Sequence, residues 1–211
     1  MEYAYHDVPG LPVHTRLLQG CCLEAQRADI VSGCIDTLRA TLPESLHSHM
    51  AAVSEQVRGS ARLLRDLADR SQIHRSRVPV VLNYLNVLLP CLCRSLRDMH
   101  GFYEEKTLTK EIRWRTMYHK MTEEAAGLPL PQRFMLYNHF LTLLGQLLTR
   151  CDHKWCIPTA DGRRADAYRR NPNFDMNALE ASQGLILQLR EKRGIGESTP
   201  GKGRRDRGLT S

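Results

Sequence analysis

The sequence predicts an all-α protein: an antiparallel bundle of five to six helices with a long N-terminal helical hairpin and a disordered C-terminal tail. Three observations predict it. Apolar residues recur every three or four positions in six segments, the spacing that lines up side chains on one flank of a helix. Pro43, Pro79, Pro129 and Pro131 stand at the borders of these segments. The chain, 211 residues with 42% hydrophobic and 25% charged side chains, is long and apolar enough to bury a core without disulfide or metal staples.

Residues 1–12, with Pro9, Gly10 and Pro12, read as an extended arm, and residues 13–193 as one helical domain. A first helix is expected over Val13 to Thr41, with Leu17, Cys21, Ala25, Ala28, Val31, Ile35 and Leu38 on one stripe. Pro43 stops it and opens a second helix, Glu44 to Arg70, whose stripe is Leu46, Met50, Val53, Val57, Ala61, Leu64 and Leu67. The short turn makes the two an antiparallel, coiled-coil-like hairpin. At a rise of about 1.5 Å per residue each stripe is ~40 Å long, more than a small bundle need cover.

Residues 71–77 read as a polar linker. A third helix is expected from Pro79 to His100, apolar nearly all round in its first half and so central in the bundle. Pro90 removes one of its hydrogen bonds and should kink it. The run Val78 to Cys93 is short of the roughly 20 apolar residues of a membrane span and carries Asn83 and Asn86. A fourth helix is expected over Thr107 to Ala126 with Gly127 as its cap, and a fifth over Pro131 to Thr149 with Phe134, Tyr137, Leu141, Leu144 and Leu148 inward. A sixth spans Phe174 to Arg193, with Asp175 as N-cap, Gly194 as terminator, and Arg190, Lys192 and Arg193 at the negative end of the dipole. Residues 151–172 lack a period and read as an irregular loop or insertion. Residues 194–211 are Gly-rich and charged, too poor in apolar groups to offset ordering, and read as a disordered basic tail.

The net charge is +7. Residues 150–170 hold six basic and three acidic side chains, residues 190–211 seven and three, so these two stretches carry the whole excess. The helical body is charge-balanced, and an acidic partner would be met by the loop and tail. The seven cysteines are odd in number, five of them inside apolar helical runs, and Met1 to Pro12 lacks the basic flank and apolar core of a secretory signal. The expected setting is therefore reducing, cytoplasmic or nuclear.

Cys151, His153 and Cys156 place three soft zinc ligands within six residues, but a structural zinc takes four and no fourth stands nearby; Cys91 or His139 would supply one only through packing. The segment reads as a loop with reducible thiols, and no metal site, cofactor or catalytic residue is expected. Cys91 and Cys93, two apart on a helix, point in opposite directions and cannot chelate together; adjacent Cys21 and Cys22 meet the same objection. His47 and His49 diverge by about 200° on a helix and read as solvated. Arg113-Trp114-Arg115 with Tyr118, His119 and Lys120 interleaves basic and aromatic groups as base-stacking surfaces do. Glu104, Glu105, Glu111, Glu123 and Glu124 cancel its field, so Trp114 reads as a core or interface anchor and the arginines as surface pairs. Lys202, Arg204, Arg205 and Arg207 fit a nuclear address or an acidic contact. There is no Gly-rich phosphate loop, HExxH or nucleophile elbow.

Val80-Val-Leu-Asn-Tyr-Leu, Leu89-Pro-Cys-Leu, Arg113-Trp-Arg, Met117-Tyr-His-Lys-Met121, Leu128-Pro-Leu-Pro131, Arg133-Phe134, Asn171-Pro-Asn-Phe-Asp175 and Leu187-Gln-Leu-Arg190 together resemble a segment of uncharacterised all-helical proteins of filamentous fungi. The resemblance covers about half the chain. It implies a helical fold and a fungal setting and brings no activity, cofactor or site residue. Similar sequences run from Thr149-Arg150 more directly into Pro172, which marks Cys151 to Arg170 as a local departure. The function expected is a non-enzymatic protein–protein interaction module or self-associating hairpin. The alternative is electrostatic attachment to nucleic acid or an anionic membrane through loop and tail. An enzyme would instead show an enclosed pocket lined by His119, His139 or Glu124.

Overall fold

The computed structural model describes residues 12–150 and 175–194. The arm, the loop containing Cys151, His153 and Cys156, and the basic tail lie outside these residues. Six α-helices and no strand are present among the described residues: α1 (Val13–Arg39), α2 (His47–Ile73), α3 (Val78–Glu104), α4 (Lys110–Glu124), α5 (Leu130–Thr149) and α6 (Met176–Lys192).

The helix ends follow from local chemistry. Thr109 caps α4 by accepting the Ile112 amide at 3.4 Å, and Asp175 caps α6 by accepting the Asn177 amide at 2.9 Å. Pro79 and Pro131 sit in first turns, where the missing N–H costs nothing. Two borders move inward from their expected places: residues 44–46 form a 3-10 turn before α2, and α4 starts only after its Thr109 cap. The expected linker is partly helix, because Ser71 is buried and bonds back to the Ala68 carbonyl at 2.6 Å, carrying α2 on to Ile73. At the end of α4 the left-handed residue is Ala126 (φ 54°) as well as Gly127 (φ 86°). The Gly127 amide reaches the Thr122 carbonyl and the Ala126 amide that of Glu123, each at 2.9 Å. This is a Schellman motif with alanine where glycine is the unstrained choice.

α1, α2, α5 and α3 form a ring, each packed on the next, with α3 closing on α1. Cross-helix bonds set the directions. Asp36 meets Ser54 and Arg58 whereas Asp29 meets Arg65, so α1 and α2 are antiparallel. Ser60 meets Asn138 at 2.6 Å, and Arg70 lies beside Gly145, so α2 and α5 run parallel. Arg77 donates to the Leu147 carbonyl and Ser95 meets the Tyr137 hydroxyl, so α3 and α5 are antiparallel. α6 packs on α3 and α5, and α4 lies against α3 and α5. Trp114 of α4 plugs one end of the ring, 2% exposed among Val31, Ile35, Leu38 and Met99.

The stripes predicted for α1, α2 and α5 form the core, except that Leu46 falls in the 3-10 turn and is only partly buried; Leu108, just before α4, and Ile112 on it are exposed. All seven apolar residues of the α1 stripe are buried, as are Met50, Val53, Val57, Ala61, Leu64 and Leu67 of α2 and the five residues expected on α5. The hairpin stripes are consumed inside the chain, by one another and by α5 and α3, so no surplus is left open along them. α3 departs from its expectation. It touches four helices, yet Val80 is 49% exposed, and Asn83, Asn86, Arg94 and Arg97 face outward. The helix also runs on to Glu104, so that Arg75–Glu104 is long and apolar enough to cross a membrane, with 44% of its most apolar stretch buried. What argues for a packed helix is therefore the polar outer face and the buried Val81, Leu85, Leu88, Leu92 and Leu96, not its length.

Two glycines make opposite demands. A Cβ on Gly59 would stand 2.9 Å from Asn138 Nδ2, where that amide donates to the Gln56 carbonyl at 2.9 Å across the α2–α5 seam. A Cβ on Gly101 of α3 would meet nothing within 4 Å. Gly59→Ala should lower the urea midpoint by displacing Asn138, while Gly101→Ala should raise stability by about 0.5–1 kcal/mol through helix propensity. Equilibrium unfolding of the two variants reads the signs directly.

Candidate functional site

The residues most unusual for their place are charged groups inside the bundle. Arg133 belongs to the inward flank of α5, between Leu130, Phe134 and Tyr137, and is fully buried. It donates through Nη2 to the Met121 carbonyl near the end of α4, and its Nε and Nη1 have no hydrogen-bond partner among the described residues. Burial pushes its guanidinium below the ordinary range, and neighbouring Arg193 acts in the same direction. Arg193, expected only to decorate the end of α6, folds inward until its side chain is 1% exposed. There it donates to Ser95 Oγ at 2.8 Å and Asp98 Oδ2 at 2.6 Å of α3, and lies 3.7 Å from Glu124 Oε2 of α4. Ser95 donates to the Cys91 carbonyl at 2.9 Å and lies 3.3 Å from the Tyr137 hydroxyl. Burial raises the Tyr137 hydroxyl pKa, so it stays protonated.

This network joins α3, α4, α5 and α6. Two buried cations face two partly exposed carboxylates, which offsets part of the cost of taking charge out of water. Asp98 and Glu124, with Met121, also line a cleft of about 480 Å³ between the C-terminal half of α3, the following loop and α4. Arg94, Arg97, Phe102, Leu108 and Lys120 complete most of its wall. A second, largely apolar groove of about 400 Å³ lies on the other side of α3, against α1, and is lined by Arg27, Ile30, Val31, Leu96, Arg97, His100, Gly101 and Glu104.

The residues singled out in the sequence are not brought together. Cys91 faces α6, 4.0 Å from the Ile186 carbonyl, while Cys93 faces α1 and receives a hydrogen bond from Arg27 at 3.0 Å, so the pair does point apart. Arg27 also pairs with Glu24, a fully buried carboxylate on α1. Burial pushes the Cys21 thiol up to about 12 and Cys91 to about 11, which removes thiolate reactivity from both. Trp114 is core. Arg113 holds the Tyr103 carbonyl at 2.5 Å, and Arg115 pairs with Glu111 at 2.9 Å. His119 pairs with Glu123 at the surface, His139 is exposed, and only Glu124 of the three residues expected around an enzyme pocket reaches a cleft, which is open rather than enclosed. No cluster of three or more metal-ligating side chains occurs among the described residues.

Two histidines expected to be solvated are half-buried. His47 Nε2 contacts the Leu42 carbonyl at 2.8 Å. The His49 ring lies edge-on to Tyr118 with centroids 4.3 Å apart and to Trp114 at 5.9 Å, joining α2 to α4. Sequence reasoning overlooked Arg133, Arg193 and Glu24. Arg133 had a readable signal, since it occupies a core position of the α5 stripe, and Glu24 adjoins the α1 stripe beside Ala25; nothing in the sequence distinguished Arg193 from its solvated neighbours.

No protein-family model, curated protein or solved structure matches the chain.

The network predicts unequal effects. Asp98→Asn leaves a buried guanidinium short of its charge partner and should cost about 2 kcal/mol and speed amide exchange in α6, whereas Arg133→Met, which removes a poorly satisfied buried cation, should be neutral or stabilising. Burial lowers the His49 pKa from 6.5. Its contribution is therefore complete above 6.5 and declines as pH falls from there through the lower folded-state value. A stability–pH profile should lose part of its fall in that window in His49→Phe.

Proposed function

We propose that the chain is a non-enzymatic helical module that seats an amphipathic helix of a partner protein in the groove between α1 and α3. The observation that carries this reading is the outward flank of α1. Ile30 is 55% exposed and Leu23, two turns earlier on the same flank, 40% exposed, beside a groove containing Val31 and Leu96. Large apolar side chains left in water along one helix are the anchors that a docked helix covers. The rim carries charge of both signs, Arg97 and Arg27, the latter paired with Glu24, together with Glu104, so the docked helix would be polar along its edges. The inner stripes of α1 and α2 do not serve this role, being already covered. Free Cys21, Cys22, Cys34, Cys91 and Cys93 accord with a reducing, cytoplasmic or nuclear setting.

A second reading rests on charge placement. Residues 150–170 and 190–211 hold the whole positive excess, which supports electrostatic attachment to nucleic acid or an anionic membrane. Affinity capture of the full chain separates the two. If the groove reading holds, a bound partner survives higher salt and removal of residues 195–211, and is weakened tenfold or more, about 1.4 kcal/mol, by Leu23→Asp with Ile30→Asp. Binding that persists in this double variant, yet disappears with salt or with the tail, sinks the groove reading and favours the other. Solution mass in the same experiment shows whether the partner is a second copy.

A further inference from the structure

We infer that the cleft between α3 and α4 is a binding site for a small organic anion, a phosphate or carboxylate carried on an apolar body. This site adjoins the α1–α3 groove, sharing Arg97 and Gly101 with it, but faces α4 and does not depend on a protein partner. Its volume, about 480 Å³, is that of a small-molecule pocket. Its lining combines apolar Phe102, Leu108 and Met121, the cations Arg94, Arg97 and Lys120, and the acids Asp98, Glu105 and Glu124.

The three acids in the cleft are already engaged. Asp98 receives Arg193 at 2.6 Å and lies 3.6 Å from Arg94, Glu124 lies 3.7 Å from Arg193, and Glu105 accepts the Thr107 hydroxyl at 2.6 Å and the Thr107 amide at 3.2 Å. Lys120 meets no carboxylate among the described residues; its ammonium stands 5.4 Å from the centre of the Phe102 ring. Fully buried Arg133 is bonded to the carbonyl of the lining residue Met121, and its Nε and Nη1 have no hydrogen-bond partner among the described residues. The lining itself is balanced, three cations against three acids, and its acids already hold donors; Arg193, paired with Asp98, and buried Arg133 add positive charge next to it, which suits the concavity to an anion. Lysine and arginine beside an aromatic ring suit an anionic head next to an apolar body.

The test titrates the full chain calorimetrically with phenyl phosphate, benzoate, inorganic phosphate and phenol. The expected result is saturable one-to-one binding of phenyl phosphate or benzoate, about tenfold tighter than inorganic phosphate, with phenol not bound. Lys120→Gln and Leu108→Asp should each weaken it about tenfold, and Lys120→Arg should restore most of the affinity. Both replaced residues are exposed, and an unchanged thermal melt verifies the fold of each variant. Absence of saturable binding for every probe overturns the inference. Binding indifferent to Lys120→Gln and Leu108→Asp, or lost only on removing residues 195–211, also overturns it, because the anion then sits elsewhere.

Discussion

Each long helix of this protein has one flank that water does not tolerate, and the only surfaces available to cover it are the corresponding flanks of the others. α1 and α2 meet along almost their whole length, α5 and α3 complete the ring, and the result is one continuous core from Leu17 to Leu189. Burying a leucine-sized side chain is worth about 1.5–3 kcal/mol, against a net stability of about 5–15 kcal/mol for a whole domain. A handful of such side chains therefore decides whether the ring closes. The ion pairs of Asp36 with Arg58 and Asp29 with Arg65 run along the α1–α2 seam at its solvent edge, where they add register more than energy.

Charge enters this core at two places, and each joins helices that the apolar seams alone would leave loosely related. Glu24 and Arg27 tie α1 to Cys93 of α3. Arg133 and Arg193 tie α4, α5 and α6 to α3 around Ser95, Asp98 and Tyr137. An apolar contact has no preferred direction, whereas a guanidinium held by a hydroxyl and a carboxylate has only a few acceptable positions. The short helices α4 and α6 bury few residues and rely on that directional anchoring, together with Trp114, Met117 and Ile186, for their placement.

α3 is the wall shared by both clefts. Arg97 and Gly101 border the groove toward α1 and the cleft toward α4. A helix buried all round could not have two such faces. The exposed ridge of α3, which the hydropathy of its first half conceals, is what gives the bundle a surface to use. The groove toward α1 is mostly apolar and the cleft toward α4 is charged, so the two sides of one helix are suited to different occupants.

Much of this was legible from the order of residues alone. Six helices, the hairpin at Pro43, the inward stripes of α1, α2 and α5 and the divergence of Cys91 from Cys93 all follow from the helical period, because side chains three or four apart must share a flank whatever surrounds them. Periodicity says which flank turns inward but not which helix it meets. That α1 lies parallel to α3 and α2 to α5, that one face of α3 stays in water, and that His49 rests against Tyr118 were settled by packing in three dimensions. The same holds for Arg193, whose neighbours Asp98 and Glu124 are distant in sequence. A charged side chain at a helix end reads as solvated until the fold brings carboxylates and a hydroxyl around it, and electrostatic partnership is set by distance in space, which the chain acquires only when the ring has closed.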